Sequence, residues 1–245
     1  MALLQDTAIV LRRLDYSETS QVLAVLTREH GQQRLIAKGV KRSTKKKVAV
    51  GIDLLELGRL IFSRRPGGEE SLGQLTEWVQ LDHFRSLRSS LASMYAAQYA
   101  AEVTLQLTEA HDPHPGLFDA LRQLFEQLSP TQSEAPLVHY LWELLTHIGL
   151  RPELGRCLNC ARDVAGDQRL FFSSRQGGTI CRDCESAIVE KRAINPKLAS
   201  SLAADESIPP PLVHEAFDLL DYHLTNVMSR RPKMSDMVKQ AFRQR

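Results

Sequence analysis

No stretch of this sequence stays apolar long enough to cross a bilayer. The best run, residues 91–107, is interrupted by Gln98, Glu102 and Gln106, whereas a spanning helix needs about 20 mostly apolar residues. The opening MALLQD lacks the basic n-region and long apolar h-region of a secretory signal. These absences predict a cytoplasmic protein with no membrane partner. There are only 4 cysteines, and in a reducing compartment they are poor candidates for disulfides. Aromatic residues are scarce, and the first eighty positions hold only Tyr16, Phe62 and Trp78. Base stacking therefore has few platforms there. No G-x-x-x-x-G-K-[ST] loop is present to hold nucleotide phosphates. The N-terminal block also lacks a D-x-D or Glu pair for metal-dependent attack on nucleic acid, so the chain does not read as an enzyme.

What is present is uneven. The net charge of +2 conceals a segregation. Residues 1–80 carry 13 Lys/Arg against 9 Asp/Glu, residues 81–150 carry 3 against 8, and residues 151–245 carry 15 against 12. Residues 34–65 alone hold 10 against 2. A local excess of that size attracts anions even on a nearly neutral protein.

That excess sits among five strand-like segments, at residues 7–12, 21–27, 33–38, 52–62 and 71–81. They are rich in Val, Ile and Leu, and polar or glycine-containing connections separate them. Gly58, inside the fourth, marks a bulge or bend. Five strands with no helical pattern between them suit a small closed sheet of the OB-fold kind, and an SH3-like barrel suits the strand count nearly as well. The third strand ends at Lys38, and after Gly39 the chain turns almost wholly cationic: Lys41, Arg42, Lys45, Lys46 and Lys47. Arg34 precedes this run, and Arg64 and Arg65 lie in a later Pro-Gly turn. Taken alone, a basic run is often a solvated loop. Carried by a small barrel, it reads as a phosphate-binding surface, salt-dependent and indifferent to base sequence.

From residue 82 the apolar period becomes helical. One stripe runs from Phe84 through Leu107, a second covers residues 117–128, and a third carries Pro136 in its first turn and ends at Gly149. His111, His114, His139 and His147 are scattered here without ligand spacing and read as surface or packed residues. Cys157, Cys160, Cys181 and Cys184 follow as C-x2-C-x20-C-x2-C. Two such knuckles complete a tetrahedral four-thiolate zinc site with no open position for water. The metal would then be structural, one per chain. A thioredoxin-like pair is the alternative, but it needs a single C-x-x-C in a βαβ setting. Asn195-Pro196 starts a further helix, residues 208–211 break the chain, and amphipathic segments occupy 213–227 and 234–242. The expected class is α+β: a five-stranded OB-fold barrel at 1–81, then a helical domain at 82–245 with a four-cysteine zinc ribbon inserted at 155–187.

Three stretches carry a family resemblance. They are SETS…LTREHG…RLIAKGVKR at residues 17–42, LLTHIGLRPEL at 144–154, and the cysteine quartet. In this order the sequence resembles the RecO family of bacterial DNA repair proteins, in its zinc-containing branch. The resemblance implies a non-enzymatic, nucleoid-associated protein that binds single- and double-stranded DNA and anneals complementary strands. It also implies action with RecR, and in many bacteria RecF, to load RecA onto DNA coated by SSB, with a contact to the SSB C-terminal tail. The family's basic motif falls on Arg34, Lys38, Lys41 and Arg42; the remaining cations extend it by charge alone. The competing reading is a zinc-ribbon interaction or regulatory module with nonspecific RNA or DNA contact.

Overall fold

The computed structural model describes residues 3–41, 51–64 and 72–243. Packing groups the chain into two compact units, residues 1–131 and 132–245. The sequence places a boundary at residue 81; by packing, the first two helices go with the barrel.

The first unit is built on β1 (Leu3–Asp15), β2 (Gln21–Thr27), β3 (Gly31–Ala37), β4 (Leu57–Ser63) and β5 (Gly73–Asp82). They close in the order β1-β2-β3-β5-β4. Neighbours are antiparallel except β3 and β5, which run parallel. This five-stranded closed arrangement is the OB-fold one. Alternating side chains of the five strands, with Ile52, fill the interior: Ala8, Val10, Leu23, Val25, Leu35, Ala37, Leu60, Phe62 and Leu75.

β1 is longer than its apolar centre suggests because it serves two partners. Residues 3–9 pair with β4 and residues 8–15 with β2, and the register shifts between Val10 and Arg12. A bulge of this kind bends a strand around a barrel corner. At that bend Val10 exchanges backbone hydrogen bonds with Leu55 and Glu56. Leu55 adopts φ 64°, so β4 begins at Leu57 instead of Ile52. Gly58 lies at a second shift, and a Cβ there would stand 2.3 Å from the Trp78 ring. Glycine is thus needed for the close approach of Trp78 to the core.

The helical stripe expected from Phe84 starts later. Phe84 has φ 47° and donates its N–H to Asp82, and a single 3₁₀ turn follows at Leu87–Ser89. α1 (Leu91–Leu107) begins behind Ser90, whose hydroxyl accepts the Ser93 N–H at 3.1 Å. Its alanines let it pack closely on β1. α2 (Pro115–Gln127) is joined to the barrel by Arg28, which donates two guanidinium N–H groups to Asp119.

The second unit holds α3 (Glu134–His147), α4 (Pro196–Ala203), α5 (Val213–Val227) and α6 (Ser235–Arg243). Between α3 and α4 in sequence lies a three-stranded antiparallel sheet of β6 (Leu170–Ser173), β7 (Gly178–Cys181) and β8 (Arg192–Ile194), ordered β7-β6-β8. The sheet is fastened to α5. The Phe172 ring meets Tyr222 and His223 edge-on, and Arg192 lies over Tyr222. His223 Nε2 donates to the Leu150 carbonyl, which leaves Nδ1 to accept the Ser174 hydroxyl at 2.9 Å. α6 is held by Lys239, which reaches Asp218 and Asp221, and by the Ser235 hydroxyl donating to Asp221. Among the described residues no helix is long and apolar enough to cross a membrane.

Candidate nucleic-acid interface and metal centre

The register of the first three strands fixes the outer face of the barrel. Arg12 stands opposite Ala24, and Ala24 opposite Arg34. Directly opposed residues point to the same side of a sheet, so two exposed arginines flank a small residue. The next row is apolar: Leu14 opposite Val22, and Val22 opposite Ile36. Leu14 is 49% exposed and Tyr16, two residues on, 68%. Alternation carries this side of β3 on to Lys38, also exposed. Phe62 is fully buried and Trp78 packs against the core, so of the block's three aromatics only Tyr16 faces solvent freely.

Of the cations expected at the interface, Arg34 and Lys38 are exposed. The acidic residues near Lys41 in sequence are Asp53 and Glu56, yet its Nζ lies 3.0 Å from Asp15. Lys41, and after it Gln21, hold the Asp15 carboxyl below its usual range. The pair joins the end of β1 to the chain just past β3, so sequence proximity does not show it. Arg64 is half-buried and turns inward, donating to the His30 carbonyl at 3.3 Å, so it is less available than an exposed turn cation. Arg42, Lys45, Lys46, Lys47 and Arg65 lie outside the described residues. Sequence reasoning misses Arg12, because it stands at the very end of an apolar segment. The bulge at residues 10–12 is what sets it in line with Arg34.

In the second unit the four cysteines come together, every pair of sulfurs lying within 4.8 Å. Cys160 and Cys181 are 3.9 Å apart, and a tetrahedral zinc with Zn–S of about 2.3 Å requires about 3.8 Å. Cys157 and Cys160 sit on a tight turn closed by the Ala161 N–H to the Cys157 carbonyl, with Ala161 at φ 60°. Cys181 ends β7, and Cys184 lies in the 3₁₀ segment Arg182–Ala187. The two knuckles are brought into register by backbone bonds from Leu158 to Thr179 and from Thr179 to Glu153. Gly178 is required there, since a Cβ would fall 2.2 Å from the Glu153 carbonyl oxygen.

The electrostatics of the quartet ask for a cation. Burial opposes ionisation of Cys157, but the N–H groups of Cys181, Cys160 and Asn159 outweigh it and bring the thiol down to about 6. Arg162, paired with Asp167 at 2.6 Å, helps to lower Cys181 against the cost of its burial. Asn159 eases Cys184 downward, but burial and the three neighbouring sulfurs push it up to about 12. Four thiols in one site cannot all ionise against one another, and a divalent metal removes that conflict. The donor set therefore fits a metal ion. Among the described residues no histidine or carboxylate joins the quartet. Three of the scattered histidines have separate partners: His114 with Asp112, His147 with Glu143, and His111 with Gln33.

The second unit also contains a cleft of about 610 Å³ lined by Val138, Trp142, Leu202, Ile208 and Val213. At its edge Arg151 lies over the Trp142 ring and pairs with Asp205 at 2.8 Å, while the Trp142 indole N–H donates to the same carboxylate. On its apolar helix Trp142 reads from the sequence as a core or interface residue, and periodicity gives no sign of this concavity.

Comparison with known proteins is consistent along the chain. A family model described as the recombination protein O N terminal matches residues 1–84, and one described as the recombination protein O C terminal matches residues 88–236. The DNA repair protein RecO of Bacillus pumilus (strain SAFR-032) is 31% identical over 202 residues, covering 82% of this chain and 75% of its own length. The RecO of Myxococcus xanthus (strain DK1622) is 29% identical over 241 residues, 96% of each chain. That of Bacillus subtilis (strain 168) is 31% identical over 195 residues, 79% of this chain and 73% of its own.

Proposed function

The chain belongs to the recombination protein O family, with a DNA repair and recombination role, and from that premise we propose that it binds single- and double-stranded DNA through the barrel and anneals complementary strands. The observation that carries this reading is the cationic outer face of the barrel, with Arg12, Arg34 and Lys38 exposed. Two strands can pair only when their phosphates are brought together, and a cationic surface lowers that barrier by neutralising both backbones. No chemical step is needed, so the protein acts as a mediator and not as an enzyme. Lys41, Arg42, Lys45, Lys46, Lys47 and Arg65 extend the surface by charge, Lys41 with its charge partly committed to Asp15. Arg64 contributes least, being half-buried.

The cysteine quartet holds one zinc, and its role is structural, because four thiolates leave no vertex for water or substrate. Membership of the family supports cytoplasmic, nucleoid-associated action with RecR, and with RecF in the bacteria that use it, to load RecA onto SSB-coated strands. For the SSB C-terminal tail, the cleft beside Trp142 is the supporting feature, because pockets of a few hundred Å³ with apolar walls and a few polar groups accept peptide side chains.

The deciding experiment is annealing of complementary oligonucleotides without ATP. The protein accelerates it in EDTA, and the acceleration shrinks as salt rises. Replacing Arg34, Lys38 and Arg42 by Ala slows annealing while zinc content and melting temperature stay unchanged. A rate equal to the protein-free control at low salt, with DNA binding saturated, removes the annealing reading.

A further inference from the structure

We propose that the outer face of β1–β3 discriminates single strands from duplex, with Arg12 and Arg34 holding the backbone and Tyr16, backed by Leu14, taking an unstacked base. The proposal rests on the reading that the barrel binds DNA and names what that surface selects.

Two adjacent rows carry it. Arg12, Ala24 and Arg34 form the first; Leu14, Val22 and Ile36 form the second, continued by Gln74 opposite Ile36. No acidic residue stands in either row. The attachment points of the two arginines are two strand spacings apart, about 9.5 Å. Both guanidinium groups can thus reach one short stretch of backbone across the low saddle left by Ala24. Phosphate contact alone does not distinguish a single strand from a duplex, since both present phosphates. The second row makes the difference. Duplex bases are stacked and hide their faces, so a half-exposed aliphatic strip gains nothing from them. A single strand can turn its bases onto such a strip and onto an aromatic ring. Tyr16 follows Leu14 by two residues, just past the end of β1, and is held at the hairpin by its N–H to the Ser20 carbonyl. It is the freely exposed ring among the described residues of the barrel, and it lies outside the core, one step beyond the Leu14 row. The scarcity of aromatics noted in the sequence therefore concentrates stacking at one position.

The test measures binding of a labelled oligothymidylate and of a hairpin duplex across a salt series, using the full chain. Tyr16→Ala weakens oligothymidylate about tenfold, the scale of one base–aromatic stack, and leaves duplex affinity and both salt slopes unchanged. Tyr16→Phe restores the single-strand affinity. Arg12→Ala lowers the single-strand salt slope by about 0.7, one phosphate contact. A Tyr16→Ala variant that binds both probes as the parent does, or weakens both equally, overturns the proposal while leaving DNA binding in place. If the parent binds neither probe at low salt, the DNA reading itself falls.

Discussion

The barrel and the cysteine ribbon are both small β-sheets, but they hold their shape by different means. The barrel buries a continuous ring of side chains from five strands, from Ala8 and Val10 through Leu23, Leu35, Phe62 and Leu75. The ribbon has three strands of at most four residues each. One face of it leans on α5 through Phe172 and His223, and its far end has the four sulfurs in place of an apolar core. A sheet that closes on itself removes its edges and supplies its own interior. An open three-stranded sheet of this length cannot, and a metal held by the four cysteines would substitute for the missing apolar area. The chain has two tryptophans, Trp78 in the barrel unit and Trp142 in the ribbon-bearing unit. Single-tryptophan variants can therefore follow each unit separately.

The sharpest way to break the contrast is to remove the metal. Cys181→Ser, or exhaustive chelation, lowers the melting temperature reported by Trp142 by about 10 °C or more, a loss of several kcal/mol. The Trp78 transition and the affinity for DNA stay where they were. Metal analysis gives one zinc per chain in the parent and none in the variant. Coincident loss of both transitions would show that the barrel depends on the metal too.

The reverse experiment targets the barrel. Gly31 has φ +66°, and a Cβ on it would meet the Asp112 carbonyl oxygen at 2.2 Å. Strain and overlap act together in Gly31→Ala, which costs about 2–4 kcal/mol. Urea denaturation followed by Trp78 reads the loss, and zinc content stays at one per chain.

The smallest effect is a pH dependence confined to the ribbon unit. Burial lowers the His223 pKa below its ordinary 6.5, against the weaker opposing pull of the Leu150 carbonyl and Glu190. The unfolded chain thus takes up a proton at His223 before the folded one does. Its neutral form supports the fold fully above pH 6.5, and that support is lost as pH falls through the lowered folded value. His223→Asn keeps a polar side chain and removes this part of the pH profile, leaving the part due to metal release. A variant with the parent's profile would assign all the acid sensitivity to the cysteines.

The contrast also explains what the sequence can tell. β2 is bounded by turn residues on both sides, and its limits are legible to the residue. The convergence of the four cysteines is legible because a quartet of this kind is written in local spacing. Leu55 and Phe84 are not: both sit in apolar runs that continue the period, and only the folded chain puts them at positive φ. The same holds for charge. Lys41 looks unpaired because Asp15 is distant in sequence, and Arg64 looks exposed because its turn is polar. The hairpin and the His30 carbonyl, which decide both, are tertiary. The row of Arg12 and Arg34 depends on a one-residue register shift, which no periodicity predicts.

The parallel contact between β3 and β5 has a kinetic consequence. β1, β2 and β3 are joined by short turns, at residues 16–20 and 28–30, and can pair as soon as the turns form, on the microsecond scale of hairpins. Closure is different: Leu3 must find Ser63, and Leu35 must find Gly73. Those searches are long in sequence, so chain entropy is surrendered before any contact rewards it. Residues 38–56, which bridge β3 to β4, act as the tether in that search. Because closure entropy grows only logarithmically, doubling such a tether costs about 0.6 kcal/mol. Lengthening it ahead of Ile52, Leu55 and Glu56, which pack into or hydrogen-bond the barrel, should slow the final phase of refolding slightly and leave the unfolding rate almost untouched.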